Sequence, residues 1–308
     1  MQIGLGLAAL GRPAYINLGR DRDLPSDRGV DAMRTATWQV LDAAYAAGVR
    51  WVDVARSYGR SEEFLGGWLD ARDLTDMTVS SKWGYAYVGE WRMDVDVHEV
   101  KEHSLAQFTR QWDESRTLLG DRIALYQVHS LTPDSPVLTD QPLLDALASL
   151  ADNGVRVGFS TSGARQAEVV ERALGLRSDG RAVFSAVQST WNVLEPSVGT
   201  ALEQAHAAGA RVLVKETMAN GRLAAQPPVE LARIADHHGV SPAAVAIAAV
   251  LDRPWADTVL VGPATVDQLH DNLEASTIRL TGDDHDQLAA LAEPSETYWS
   301  ARSALPWR

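Results

Sequence analysis

The sequence predicts a (β/α)8 TIM barrel with long loops at its C-terminal face, an extra C-terminal helix and a tail. Three observations carry this. Short apolar, β-rich runs recur along the 308 residues, ending near Ala8, Asp53, Lys82, Val128, Phe159, Gln188, Lys215 and Val261. Stretches with Ala, Leu, Glu and Gln at helical spacing separate them. Gly48, Gly120, Gly154 and Gly209 stand where helix C-caps are expected, each just before the next strand. Eight strand-helix units fill one barrel of about 250 residues, so 1–308 reads as a single barrel domain with a tail over 293–308.

In chain order, the first run holds Gly4-Leu5-Gly6-Leu7-Ala8-Ala9, which fits the dinucleotide pattern G-x-G-x-x-G/A. That fingerprint requires a helix to open at once beneath the pyrophosphate. Gly11-Arg12-Pro13 and a polar loop follow instead, so a Rossmann reading is set aside. Helical spacing covers Ala32–Ala47, Ser61–Ala71, Val97–Leu119, Val137–Asp152, Ala164–Leu174, Pro196–Ala208, Val229–Leu251 and Thr265–Glu274. The Val229–Leu251 stretch breaks into two helices near Gly239-Val240-Ser241-Pro242. A last helix over Asp283–Leu291 precedes a tail with Tyr298, Trp299 and Trp307. Three insertions, Gly11–Val30, Trp83–Asp96 and Thr217–Pro228, all follow strand C-termini, where a barrel builds its active face. Tyr85, Tyr87 and the tryptophans of these loops and the tail are therefore candidate walls of a pocket. Trp83, Trp91 and Trp299 are taken as its substrate side.

A net charge of -13 disfavours nucleic acid and an anionic membrane surface, both of which would repel it. The absence of Cys excludes disulfides, a thiol nucleophile and thiolate zinc sites. The longest apolar run, Ala243 to Leu251, is far short of the ~20 residues of a membrane span. No basic segment followed by a cleavable apolar one opens the chain, so a cytoplasmic location is expected. No metal is expected. His98-Glu99-Val100-Lys101-Glu102-His103 has neither the spacing nor the third ligand of a zinc motif, and His237-His238 suits a helix end.

The chemistry-bearing residues converge on three successive strand ends. Trp51-Val52-Asp53 ends the second strand, and Tyr58 lies in the loop between it and the helix that Ser61 opens. Lys82 ends the third, in Val79-Ser80-Ser81-Lys82-Trp83-Gly84, and His129 follows the fourth, in Leu125-Tyr126-Gln127-Val128-His129-Ser130. Adjacent parallel strands lie ~4.8 Å apart, so these ends face one small volume. A phenol with a pKa near ~10 is a poor acid or base on its own, and a lysine ammonium beside it draws it toward phenolate. Asp53 would hold that lysine charged, and His129 would donate a hydrogen bond to a substrate oxygen. Singly these residues also read as a buried Asp–Lys pair, a packed Tyr and a capped His. Their coincidence points to proton transfer.

With these motifs the chain resembles the aldo-keto reductase family, from Gly4-Leu5-Gly6 to Asn272. The resemblance rests on Asp53 with Tyr58-Gly59-x-Ser61-Glu62-x-x-Leu65-Gly66, on Lys82 and on His129. It continues through Gly154-x-Arg156-x-Gly158-x-Ser160, Gln188-x-x-Trp191-Asn192, Gly221-x-Leu223 and Gln268-x-x-Asp271-Asn272. It implies a (β/α)8 barrel that binds NADP(H), or less often NAD(H), without a Rossmann domain, and acts on a small-molecule carbonyl or alcohol. It implies Tyr58 as general acid/base, Lys82 and Asp53 as its tuning pair, and His129 as the group that orients the carbonyl. Ser160 and Gln188 would hold the nicotinamide carboxamide, and Trp191 would stack on its ring. Thr217, Met218, Gly221 and Arg222 would belong to the loop over the pyrophosphate. Gly262, Thr265, Gln268 and Asn272 would hold the adenosine end. Departures are Trp191 for the usual Tyr, Thr161 for Asn, Glu216-Thr217-Met218 for Ser-Pro-Leu, and Ala264 where an Arg or Lys often grips the 2′-phosphate. The last implies a weak to moderate NADPH preference with measurable NADH use. Two rival readings are a Schiff-base aldolase using Lys82 or Lys215 and a regulatory barrel that binds NADP with little turnover.

Overall fold

The computed structural model describes residues 2–16, 18, 23–24 and 26–307. Among these, eight parallel strands close into a barrel: β1 Gln2–Gly6, β2 Trp51–Asp53, β3 Thr78–Trp83, β4 Ile123–Leu131, β5 Arg156–Thr161, β6 Ala186–Thr190, β7 Arg211–Lys215 and β8 Thr258–Val261. Each pairs with its neighbour in the chain, and β8 closes on β1 through Gln2↔Thr258 to Leu5↔Val261. The helices α1 Val30–Ala46, α2 Ser61–Arg72, α3 Leu105–Leu119, α4 Gln141–Asp152, α5 Gln166–Leu174 and α6 Gly199–Ala207 follow successive strands. After β7 come α7 Val229–His238 and α8 Pro242–Leu251, and after β8 comes α9 Val266–Glu274. Two more helices, α10 Gly282–Ala289 and α11 Ser295–Ser303, follow the barrel.

Strand alternation sorts the residues into two cores. Val52, Val79, Val128, Phe159, Val187 and Val214 belong to the large apolar core. Trp51, Leu125, Ala186, Leu213 and Leu260 form a second cluster. Trp51 Nε1 donates to Ser80 Oγ at 3.0 Å, which joins this cluster to a buried polar layer holding Asp53, Lys82, Gln127 and Gln188. The registers Asp53↔Ser80, Lys82↔Gln127 and Gln188↔Ser160 bring that layer to one height.

The strand ends agree with the sequence reading, and three elements differ. Val97–Leu119 is not one helix. Glu99–Lys101 pairs antiparallel with Tyr85–Tyr87, and α3 begins only after Ser104, whose hydroxyl accepts the Gln107 N–H at 3.1 Å. The alternating Val97-His98-Glu99-Val100-Lys101 suits that short hairpin better than a helix. The tail contains α11, and a small hairpin, Arg177–Ser178 with Arg181–Ala182, precedes β6. The loop carrying Tyr58 is pinned to the first insertion. A Cβ on Gly11 would collide with Tyr58 O, Gly59 sits at φ +60°, and Arg60 N donates to Gly11 O at 2.8 Å. Among the described residues no single helix is long and apolar enough to cross a membrane. The bent pair α7 and α8 passes such a test only when joined across an 89° bend.

Candidate active site

The site is built around the Asp53 carboxylate at the end of β2. It accepts hydrogen bonds from Ser80 Oγ at 2.7 Å and from the side-chain amides of Gln127 and Gln188, each at 3.2 Å, and it pairs with Lys82 Nζ. Lys82 Nζ also donates to Val54 O at 3.2 Å and to the Tyr58 phenol oxygen at 3.4 Å. All three side chains are buried. With its oxygen accepting from Lys82, the phenol directs its own proton elsewhere. The Tyr58 ring lies 5.5 Å from the His129 ring, edge to face.

Two charge states follow. Burial, then the Asp53 charge, push the Tyr58 phenol above its usual range, with Arg12 pulling the other way. The depressed phenol expected from the Lys82 charge is therefore corrected. Lys82 is spent on Asp53, so the phenol sees an ion pair from within a desolvated pocket and stays protonated. Burial, then the Lys82 and Lys215 charges, hold His129 well below the usual histidine range, so its imidazole is neutral. His129 Nδ1 lies 3.3 Å from Ser57 Oγ; with Ser57 as donor, the ring proton sits on Nε2. The kink that presents His129 is a register shift between Val128 and Leu131, with Ser130 at φ 54°.

These groups open onto a cavity of about 430 Å³ at the C-terminal ends of the strands. Asp53, Tyr58, His129 and Gln188 line it, whereas Lys82 lies one layer beneath, behind the phenol. Thr217, Met218, Gly221 and Gly262 line it as well. Tyr85 and Trp307, candidate walls from the sequence, form part of it.

Other expectations are overturned. Trp83 follows inward-facing Lys82 on β3, so alternation turns it outward, where it packs on Phe108 with ring centres 5.1 Å apart. Trp91 donates its indole N–H to Arg28 O at 2.8 Å and packs on Phe64, outside the cavity lining. Trp299 lies behind the wall, 5.9 Å from Lys215 Nζ and 5.3 Å from the Arg302 guanidinium. Trp191 does not face the cavity either. It packs on Trp255 at 5.8 Å with the Arg253 guanidinium over its ring, so stacking on a nicotinamide is not its place. Ser160 is fully buried and accepts the Ser130 N–H at 2.8 Å, and Ser162 reaches the cavity instead. Arg222 is held by Glu293 at 3.2 Å, away from the lining.

Thr265, Gln268 and Asn272 gather at α9, beyond the cavity lining. Thr265 Oγ1 accepts the Gln268 N–H at 3.2 Å, and Gln268 Oε1 accepts the Ala264 N–H at 2.7 Å. Gln268 Nε2 donates to the Asp23 carboxylate at 2.6 Å. His98 and His103 serve structure: His98 stacks on Trp307 at 4.4 Å, and His103 bonds to His129 O at 2.8 Å.

Beyond this geometry, the model of the Aldo/keto reductase family matches residues 2–293. The chain belongs to the aldo/keto reductase family. It is similar to aldo-keto reductase str7 of Strobilurus tenacellus, at 26% identity over 84% of this chain and 82% of that protein. It is similar to a D-threo-aldose 1-dehydrogenase of a Pseudomonas species, at 29% identity over 90% of this chain and 92% of that one. Its fold matches that of a holo-form aldo-keto reductase from Bacillus halodurans, with a TM-score of 0.70 at 20% identity over 96% and 94% of the two chains. As an aldo/keto reductase the chain is a nicotinamide-dependent oxidoreductase acting on carbonyl or alcohol groups.

Several residues of this aldo/keto reductase site were not singled out in the sequence. Arg12 pairs with Glu99 at 2.8 Å and lies over the rings of Tyr15, Trp307 and Tyr58, at 4.6, 4.7 and 5.1 Å. Arg302 on α11 grips Glu216 after β7, with Nε 2.9 Å from Oε2. Asn220 follows at φ 54°, and its buried Oδ1 has no hydrogen-bond partner among the described residues. That orphaned acceptor, with Gln188 and Ser162 on the same wall, fits a ligand bearing an amide. Gly6 and Gly262 leave room for a close backbone approach at the ends of β1 and β8, where a Cβ on Gly262 would meet only Gly6 O at 3.8 Å. The residues present therefore fit a nicotinamide dinucleotide.

Proposed function

We propose that this enzyme interconverts an aldehyde or ketone and its alcohol through Tyr58, Lys82, Asp53 and His129. Bound in the cavity, the nicotinamide supplies or accepts the hydride. Gln188, Asn220, Thr217, Met218, Gly221 and Gly262 would hold it, with Ser162 replacing Ser160. Tyr58 donates its proton to the carbonyl oxygen as negative charge develops there, and takes it back in the reverse direction. Lys82, already donating to the phenol oxygen, stabilises the phenolate left behind, and Asp53 holds Lys82 in place through their ion pair. Neutral His129 donates from Nε2 to the same carbonyl oxygen, a fixed dipole where charge develops. The observation that carries this reading is the Lys82–Tyr58 hydrogen bond at the wall of a cavity that His129 also faces.

NADP(H) is the proposed cofactor, with NAD(H) also used. A 2′-phosphate near Thr265, Gln268 and Asn272 would meet the Asp23 carboxylate, which weighs against a strong NADP preference. The substrate is proposed to be small and polar, because Arg12 and Glu99 stand beside Tyr58 in the lining. The D-threo-aldose 1-dehydrogenase relative supports that class. A cytoplasmic location and a single barrel domain remain part of this reading. The family match does not favour the rivals, and the Lys82 amine is locked to Asp53 and is no free nucleophile. Following NADPH or NADP oxidation state across a panel of aldoses, polyols, and apolar aldehydes tests the proposal. Turnover of the polar members supports it; tight cofactor binding with no turnover on any member contradicts it.

A further inference from the structure

We propose that Lys215 makes this enzyme distinguish the oxidised from the reduced cofactor, by setting an ammonium in the cavity wall against the cationic oxidised nicotinamide ring. The inference rests on the cofactor reading above and concerns the same cavity. Lys215 ends β7 and lines the cavity with Tyr58, His129 and Gln188. Its Nζ donates to Thr190 Oγ1 on β6 at 2.8 Å and lies 3.5 Å from Glu216 Oε1.

Glu216 does not cancel this ammonium, because it is shared. Arg302 Nε lies 3.0 and 2.9 Å from its two carboxylate oxygens, and Thr190 Oγ1 donates to Oε2 at 3.1 Å. One carboxylate thus faces two cations, and the trio carries a net positive charge while Lys215 is protonated. The groups around Lys215 come from several elements: Glu216 beside it, Arg302 and the Trp299 ring from α11, Lys82 from β3 and His129 from β4. Lys82 is offset by Asp53 and His129 is neutral, so neither neutralises the wall.

Burial holds the Lys215 amine down at about 8; Glu216 opposes this, and Arg302 and Lys82 add to it. The wall therefore loses its net charge within the range where the protein can be handled. An oxidised nicotinamide ring carries one positive charge more than a reduced one. A unit charge within about 6 Å changes the affinity ratio by roughly threefold to a hundredfold as the effective dielectric falls from ~80 to ~20. Below pH 8 the enzyme should bind the reduced cofactor preferentially and release the oxidised one readily, which favours reduction of the carbonyl.

The test is the ratio of Kd for NADP+ to Kd for NADPH, read by tryptophan fluorescence between about pH 6 and pH 9.5. Wild type, Lys215→Met and Lys215→Arg are compared. The 2′-phosphate titrates alike in both forms and cancels in the ratio. The expected wild-type ratio falls about tenfold as pH rises through 8. Lys215→Arg keeps the high ratio at every pH, because guanidinium does not titrate there. Lys215→Met keeps the low ratio throughout. A wild-type ratio that does not change with pH, or a Lys215→Arg ratio that still titrates, overturns the proposal. Failure of wild type to bind either form overturns the cofactor reading itself, and the proposal with it.

Discussion

Replacing Lys82 by Met leaves the Asp53 carboxylate buried within the barrel with Ser80, Gln127 and Gln188 as neutral donors, but without the lysine charge. Breaking a buried ion pair from one side costs about 3–5 kcal/mol. The remaining hydrogen bonds solvate the carboxylate, so the expected loss lies near the lower end, about 3 kcal/mol. At about 2.1 cal/mol/K per residue, the unfolding entropy of 308 residues is about 0.65 kcal/mol/K, so the expected fall in Tm is about 4–5 °C. Asp53→Asn with Lys82→Met removes both charges, while the amide oxygen still meets Ser80 and the glutamines. The double variant should therefore regain at least about half of the loss. Chemical denaturation of wild type, both single variants and the double variant gives the coupling energy, expected at about 2 kcal/mol. Additivity within about 0.5 kcal/mol would refute the idea that the two charges neutralise one another in the fold.

Two further outcomes are expected. Burial alone would raise the Glu216 carboxyl, but the Arg302 and Lys215 charges overrule it and hold it at about 2. A depressed carboxylate stabilises fully above its unfolded pKa and loses that contribution as pH falls through its folded one. Glu216 should therefore contribute on the order of 3 kcal/mol above about pH 4.5, fading toward pH 2, and Glu216→Gln should flatten that part of the stability curve. An unchanged acid limb contradicts this. At the proposed adenosine end, Asp23→Asn should raise NADPH affinity relative to NADH severalfold, and Ala264→Arg by about tenfold or more. A wild-type NADPH preference above about a thousandfold, unmoved by either substitution, would show that another residue reads the phosphate.

The barrel could be read from the chain because its signals are local: β-branched runs, helical spacing and glycines that end helices before the next strand. Asp53, Lys82 and His129 were readable for the same reason, since a charged or polar residue at a buried strand end stands out against its neighbours. Tryptophan placement was harder. Trp83 was misplaced although alternation from Lys82 turns it outward, and Trp191 finds Trp255 only through tertiary packing. The Arg302–Glu216 pair joins residues 86 apart, through a helix whose tail sequence carries no strong periodic pattern. Arg12 looked like part of a polar loop. Its role depends on Glu99, which the fold brings over from a hairpin that resembled a helix start. The direction of the Tyr58 shift was hidden too, because it depends first on how deeply the fold buries the phenol and then on the nearby Asp53 charge.

The most direct test of the central claim, that Tyr58 is the proton donor, is Tyr58→Phe. NADPH affinity and thermal stability are measured alongside single-turnover reduction of a substrate that wild type accepts. The variant should fold and bind NADPH as wild type does, with hydride transfer slowed by ~10²–10⁴-fold. A single-turnover rate within a few fold of wild type, with binding intact, would show that the proton comes from another group.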